Sequence, residues 1–598
     1  MGFAPESGLL ILLLAPAAAG LLLLFRSFAG LTNFSRSQFW AFFLAGTVTA
    51  GVVLGADFAL HQNDPDRTSG PIAFLRSLPL LTPDWVAICG IGISSLSGLL
   101  ILSWPRPRAL PAAAIREAWA GLWLAVAVTV TLLADGIWLQ WASVVASSWL
   151  LSLILAQDDT DGDAAQGAGQ CLVWLTVADF IWLCGLLTFG LVWVSPGVSN
   201  LTDQSQLQNL NLEQSALAVT GQTFLLISMI LRCGLYPLMS WTRSAAISYR
   251  VAAWVTAFGL GQGLLLSLRW SPMLTFFAET QLLMAGLGGL SAVLLGLIAV
   301  SGAVGPRRLL SVASAQIGLV WLGLAATPNS TNIPAAVPGL AAVLLIVGLS
   351  LGLDEKQRGP SIVWCQRVLW AFALLLCCGL LGQEQLGEAV RKSEALHGLN
   401  PRVLLGTVLA GQLLTTIALF RELADPASAA TLRSRPDLST LGWIFFAALL
   451  LCGVAGLVAS PLLWFGTGRI AFSLPIASSI VMLIGILAAR NWSDRPANVP
   501  GEQLEQQSLL RRMTGVDFYI PTLIQLFILA PIRIVAQLSR FFDWFFLGQL
   551  VQKVPATLVQ RIADSSTHAD EETPESGTTW QLLAAAACLV AGILLAGV

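Results

Sequence analysis

Long apolar runs separated by short polar links constrain this sequence more than any other feature. A run of about 18 or more apolar residues predicts a membrane-spanning helix, and sixteen such runs can be drawn along the chain. They are residues 8–25, 39–60, 84–104, 117–134, 136–156, 170–194, 216–236, 245–268, 278–304, 309–326, 334–353, 364–381, 401–420, 439–459, 470–489 and 579–597. Only 11% of the 598 residues are charged, against about 25% in soluble domains. The pattern predicts an all-α polytopic membrane protein of about sixteen transmembrane helices.

Charge and cysteine usage exclude several other classes of protein. The net charge is −2 and no basic block occurs, so a nucleic-acid partner is excluded. The nine cysteines lie in or beside apolar runs without metal-ligand spacing, which is typical of packing residues. No phosphate loop, dinucleotide fingerprint or histidine cluster is present, so the sequence predicts no cofactor and no metal, and leaves open whether the chain is an enzyme.

The distribution of basic residues predicts the orientation. With both termini outside, 24 of the 31 lysines and arginines fall on the inside and seven on the outside, as expected when basic residues favour cytoplasmic loops. The first apolar run has no charged segment before it and no cleavage-like site after it, so we interpret it as a retained helix. We expect a multi-pass protein of the bacterial inner membrane.

Ionisable residues inside apolar runs are costly and therefore mark candidate functional positions. They are Asp57, Asp179, Arg232 and Arg250, with Asp135 at a tight turn between two runs. Asp57 and Asp135 are close enough to helix ends to reach the membrane surface. Asp179 lies ten residues into its run, which favours a buried polar role.

Two segments interrupt the regular pattern of runs. In residues 231–257, Pro237 and a polar stretch predict either a broken helix, which would mark an ion site, or an ordinary inside loop. Residues 515–564 are amphipathic and contain three prolines, which predicts a segmented helix along the inner membrane surface. An acidic linker and the last run follow in residues 565–598.

Several segments, taken in chain order, resemble one known family. They are ADGIWLQWASVVASSWLLSLI (134–154), QCLVWLTVADFIWL (170–183), LRCGLYPLMSW (231–241), GPRRLLSVASAQIG (305–318), TTIALFRE (415–422) and GVDFYIPTLIQLFILAPIRIVAQLSRFFDWFF (515–546). The chain resembles the antiporter-like membrane subunits of respiratory NADH-quinone oxidoreductase, in particular the L subunit, and their relatives in multisubunit sodium/proton antiporters. The resemblance implies N-terminal helices (1–133), an antiporter-like core of inverted repeats (134–460), a span with a polar linker (461–514) and the lateral helix.

The resemblance also implies a proton path along the membrane, and this sequence departs from it. Where the family has a glutamate and an arginine on two neighbouring spans, this chain has Ala142 and Thr176. Arg232, Arg250 and Gln383 stand where the family has a lysine, a histidine and a lysine. Because arginine does not release its proton near neutral pH, this charge axis is degenerate. Arg232 needs a new acidic partner, for which we expect the aspartate of the neighbouring span.

Three functions are compatible with these features. The chain could move protons or another cation as a subunit of a complex that couples transport to NADH–quinone chemistry in its partners. It could instead be a scaffold that keeps the fold and has lost conduction. It could also be the membrane partner of a soluble zinc protein in inorganic carbon uptake. Each function predicts a lipid environment; the first two predict membrane partner subunits, and the third a soluble peripheral protein.

Overall fold

The structure is a computed structural model that describes about half of the chain. The described residues are 85–104, 111–134, 137–156, 163–192, 215–246, 248–275, 277–301, 303, 305–326, 333–358, 400–424, 480–489 and 537. The chain divides into two compact units, Met1–Val516 and Asp517–Val598. All described residues except Gln537 lie in the first unit. The predicted last span and the remainder of the predicted lateral helix lie outside the described residues.

Helices account for the elements assigned in these ranges. They are α1 (Trp85–Ser103), α2 (Pro111–Leu133), α3 (Ile137–Leu155), α4 (Asp163–Val192), α5 (Ser215–Arg232), α6 (Ser240–Ala245), α7 (Tyr249–Arg269), α8 (Ser271–Leu274), α9 (Ala278–Ser301), α10 (Pro306–Ala326), α11 (Ile333–Arg358), α12 (Pro401–Ala424) and α13 (Ile480–Ala489).

The predicted apolar runs between residues 84 and 353, together with 401–420, each coincide with one of these helices. Seven of the described helices are long and apolar enough to cross a membrane. The prediction of an all-α integral membrane protein is therefore confirmed. The total of sixteen spans stays a prediction, because the runs at 8–25, 39–60, 364–381, 439–459 and 579–597 lie outside the described residues.

Two helices form the centre of the described bundle. The apolar segments of α7 and α10 are completely buried, whereas only 39% of the corresponding segment of α4 is buried. Helix α7 packs against α1, α2, α5, α10 and α11. It is therefore the element through which groups at the two ends of the bundle can be connected.

Glycines allow the closest approach between helices, at the contact of α9 with α10. A Cβ added to Gly288 would lie 2.7 Å from the carbonyl oxygen of Gly318, and the reverse distance is 2.8 Å. Small residues of this kind let helix backbones meet in a membrane. Gly286 on the same helix is exposed, and a Cβ there would meet no described atom within 4 Å.

The end of α5 is a Schellman turn that stops the helix inside the bundle. Leu235 donates its backbone N–H to the carbonyl of Ile230, and Gly234 donates to Leu231, which is the hydrogen-bond pattern of this motif. Gly234 has a φ of +57°, and a Cβ there would lie 2.6 Å from Thr242 Cγ2. The sequence LRCG thus ends α5 one residue after Leu231 and leaves the Arg232 side chain in the interior.

After this turn the chain stays buried instead of forming an exposed inside loop. The peptide bond before Pro237 is cis, and the indole of Trp241 in α6 donates to the Leu231 carbonyl at 2.7 Å. Helix α7 then begins at Tyr249, and the Ser248 hydroxyl caps it by accepting a hydrogen bond from the Val251 N–H. Within α7, residues Val255–Leu260 are π-helical, and such π segments are frequent at functional sites. Of the two interpretations of this segment, the structure matches the broken helix.

Candidate functional site

A buried ion pair occupies the point where α5 stops. Arg232 Nη2 contacts Asp179 Oδ1, and both side chains are only 2% exposed. Ser148 bridges the pair, because its hydroxyl lies 2.8 Å from Asp179 Oδ2 and 2.7 Å from Arg232 Nη2. Both carboxylate oxygens of Asp179 are therefore bound, and the predicted proximity of Asp179 and Arg232 is confirmed.

Helix α7 supplies the third component of this cluster. Arg232 Nη1 donates to Gln262 Oε1 at 3.1 Å, and the Ser147 hydroxyl lies 2.9 Å from the same oxygen. The Arg232 guanidinium also donates to the Val144 carbonyl at 3.3 Å. Arg232 is held by α3, α4 and α7 at once, so its position depends on all three helices.

Polar side chains continue from the ion pair toward the connection between α2 and α3. Gln262 Nε2 lies 3.4 Å from Thr131 Oγ1, which lies 3.0 Å from the Ser143 hydroxyl. Ser143 in turn donates to the Gln140 carbonyl at 2.8 Å. At this end Arg269 donates to the carbonyl of Thr131 at 3.3 Å. The result is a chain of hydroxyl, amide and guanidinium groups that runs from the middle of the bundle to one end.

A second ion pair lies at the opposite end of α7. Arg250 Nε donates to Glu117 Oε1 at 2.8 Å, and Arg250 Nη1 donates to the Trp104 carbonyl at 3.0 Å. The indole of Trp254 donates to the same Glu117 oxygen at 2.9 Å. These contacts tie the first turns of α7 to the start of α2 and the end of α1.

A third ion pair lies beside the second. Arg308 at the start of α10 binds Glu422 at the end of α12, and the Tyr249 hydroxyl donates to the other oxygen of this carboxylate. Arg308 Nε also donates to the carbonyls of Ala299 and Ala303 at 3.1 Å. Tyr249 and Arg250 are consecutive residues, so the first turn of α7 is bound to two different carboxylates.

The predicted site residues fall into three groups. Asp179, Arg232 and Arg250 lie in the ion pairs just described. Ala142 and Thr176 are exposed, whereas Ser148, six residues along α3, is buried and contacts Arg232. Six residues rotate a helix by about 240°, so a carboxylate at position 142 would not point at the ion pair. Gln383 lies outside the described residues.

The sequence did not single out Glu117, Glu422, Gln262 or Ser148 as parts of this site. Glu117 opens its apolar run and was not considered, because residues at run ends generally reach the membrane surface. Glu422 follows Arg421 directly, two residues beyond the predicted end of its run. One signal was available for Ser148: the polar positions 143, 147 and 148 recur at helical spacing opposite the exposed positions 142, 146 and 149.

Arg243, in the short helix α6, keeps its positive charge. Burial lowers the pKa of Arg243 in α6 to about 10, and the nearby charge of Arg307 adds to the shift. This pKa is still well above neutral pH, so Arg243 is protonated under physiological conditions.

The sequence matches no protein-family model. Nor does it match any curated protein. Its fold, in contrast, is similar to that of membrane subunits in two solved complexes. One is a chain of the Mrp complex from Dietzia sp. DQ12-45-1b, at 16% identity and a TM-score of 0.52, matching 86% of this chain and 56% of the Dietzia chain. The other is a chain of the membrane-bound sulfane sulfur reductase, an archaeal respiratory membrane complex, at 13% identity and a TM-score of 0.56, matching 81% of this chain and 99% of that chain.

This chain therefore spans just over half of the length of the Dietzia chain. At identities this low the likeness establishes a shared fold. That fold agrees with the resemblance to antiporter-like membrane subunits found in the sequence.

Proposed function

We propose that this chain is an L-type, antiporter-like membrane subunit of a multisubunit energy-converting complex, located in a bacterial inner membrane. In this proposal it takes part in moving protons or another small cation, while partner subunits carry out NADH–quinone chemistry. The chain itself supplies the transmembrane path, and its partners supply the redox energy.

The observation that carries the proposal is the buried Arg232–Asp179 pair at the end of the interrupted helix α5. Charged groups within a membrane bundle are expensive and mark ion pathways more often than anchors. Broken helices at this depth are likewise a feature of ion and substrate sites in transporters. Two further buried ion pairs lie at the first turn of the same central helix α7.

The chemistry available at the pair limits how a proton could move. An arginine side chain does not offer the proton release and recapture that a lysine allows, and both Asp179 oxygens are bound. The polar chain through Gln262, Thr131 and Ser143 offers hydroxyl and amide groups between which water can be held. Proton movement in this chain would therefore depend on those neutral groups and on water.

A scaffold without conduction is the second candidate, and one observation favours it. Every hydrogen-bonding group of the pair except Arg232 Nε has a partner among the described residues, and a fully bound pair is well suited to a fixed structural role. In this alternative the pair stabilises the bundle and no ion passes.

Proton flux into proteoliposomes distinguishes the two candidates. The purified chain is reconstituted into liposomes that contain a pH-sensitive dye, and a pH gradient is imposed. The decay of this gradient is compared with its decay in protein-free liposomes. We expect faster decay with the chain, slowed by Asp179→Asn and unchanged by Arg402→Gln, since Arg402 is an exposed residue of α12. Decay equal to that of empty liposomes would support the scaffold. The proteins that copurify in mild detergent identify the partners: redox subunits support the proposal, and a lone soluble zinc protein contradicts it.

A further inference from the structure

The first turn of α7 is held from two directions by consecutive residues. Tyr249 binds Glu422, which α12 supplies and Arg308 neutralises. Arg250 binds Glu117 of α2. Tyr249 and Glu422 are 173 residues apart in sequence, so this contact joins a late helix of the described bundle to a central one.

Helix α7 connects this turn directly to the central ion pair. Gln262, which binds Arg232, lies thirteen residues after Tyr249, or about 20 Å along a helix. The backbone of α7 also abuts the end of α5, since a Cβ on Gly263 would lie 2.9 Å from the Cys233 nitrogen. One turn further, Ser267 Oγ lies 3.6 Å from Cys233 Sγ. Any shift of this half of α7 must therefore change the surroundings of both Arg232 and Cys233.

The π segment lies between the bound first turn and Gln262. Each hydrogen bond of a π-helix spans one more residue than a hydrogen bond of an α-helix. If the segment relaxed to α-helix, the residues beyond it would move by about one residue, or roughly 1.5 Å and 100°. Because α7 is buried along its whole length, its relaxation would have to displace the residues packed around it. A first turn that is fixed in place opposes this displacement and so holds the π segment.

We propose that Glu422 is a positioning residue for the central ion pair. Together with Tyr249 and Arg308 it forms a triad that fixes the start of α7 and thereby holds Gln262 against Arg232. The triad couples α12 to a site in which α12 has no residue of its own. This proposal concerns the same site as the proposed function. Only its consequence, that the state of α12 controls the central pair, rests on the proposed function.

The reactivity of Cys233 reports the contact between α7 and α5. Cys233 is completely buried, so a chain in which it is the only cysteine should react slowly with N-ethylmaleimide. We expect Glu422→Gln and the milder Tyr249→Phe each to raise this rate about tenfold, the effect of losing one hydrogen bond to a charged group. The double variant should react no faster than the faster single variant, because both substitutions break the same triad.

Two controls separate positioning from a general loss of structure. Glu279→Gln changes an exposed glutamate at the start of α9 and should leave the Cys233 rate unchanged. A chain whose only cysteine is the buried Cys171 of α4 should react at the same rate with and without Glu422→Gln. An unchanged Cys233 rate in Glu422→Gln, or equal increases at Cys233 and Cys171, would overturn the proposal. Because the measurement needs no ion flux, its failure would leave the proposed function to be judged by the liposome assay.

Discussion

Breaking the Arg232–Asp179 pair from one side should destabilise the bundle strongly. Asp179→Asn keeps the size of the side chain and removes the charge that neutralises Arg232. Arg232→Gln removes the charge that neutralises Asp179. Both side chains are only 2% exposed, so neither stranded charge can reach water. Removing one partner of such a pair costs about 3–5 kcal/mol, and we expect a loss of this size in the free energy of unfolding of each single variant.

The double variant should lose much less than the sum of the two. With both charges gone, the remaining loss is that of the Arg232 hydrogen bonds to Ser148, Gln262 and the Val144 carbonyl. At about 1 kcal/mol each these bonds amount to roughly 3 kcal/mol. Two single losses near the lower limit sum to roughly 6 kcal/mol, which leaves a coupling energy of about 3 kcal/mol, at the top of the range for residues in contact.

Reversible unfolding of the purified protein in mixed micelles, at increasing fractions of sodium dodecyl sulfate, measures these differences. Arg402→Gln is the matched control, because it removes an exposed arginine of α12 and should change stability by less than about 0.5 kcal/mol. Strictly additive losses from Asp179→Asn and Arg232→Gln would refute the reasoning, since they would mean that the two charges do not interact.

Three further predictions concern other parts of the chain. Arg232→Lys should give the reconstituted protein a pH-dependent proton flux that Ala142→Glu does not increase, because position 142 faces away from the pair; dye-loaded liposomes measure both. Gly288→Ala should lower the unfolding free energy by more than about 1 kcal/mol through a backbone clash, whereas Gly286→Ala on the same helix should leave it unchanged or raise it by up to about 1 kcal/mol. Single cysteines placed in 517–562 should resist an impermeant thiol reagent added outside intact cells, and truncation after residue 490 should weaken subunit association more than folding of the preceding spans.

Hydropathy was enough to predict the helices, because lipid imposes a strong and local requirement on every spanning segment. The run predicted at 136–156 corresponds to α3, and that at 278–304 to α9. The largest difference is the start of α4 at Asp163 instead of residue 170. There a stretch of Ala, Gln and Gly continues the helix beyond the apolar run, and composition alone does not mark that end.

The partners in the ion pairs were harder to predict, because they are determined by packing between distant helices. Arg232 and Asp179 could be paired from the sequence because each is the rare charged residue within its apolar run. Glu422 and Arg308 are 114 residues apart, and both belong to segments quoted for the family resemblance without any sign that they meet. The resemblance drew attention to Ala142, whereas the interior position on α3 is Ser148.

The complete burial of α7 also has a consequence for how the protein is made. This helix leaves the ribosome long before Glu422, the residue that binds its first turn, which follows 173 residues later. At about 5–20 residues per second, that interval lasts roughly 9–35 s. During this time Arg250 and Arg269 can already bind Glu117 and the Thr131 carbonyl, which precede α7, whereas Tyr249 has no Glu422 to bind. We therefore expect the nascent chain to be most vulnerable to membrane proteases and insertion errors between the synthesis of α7 and that of α12.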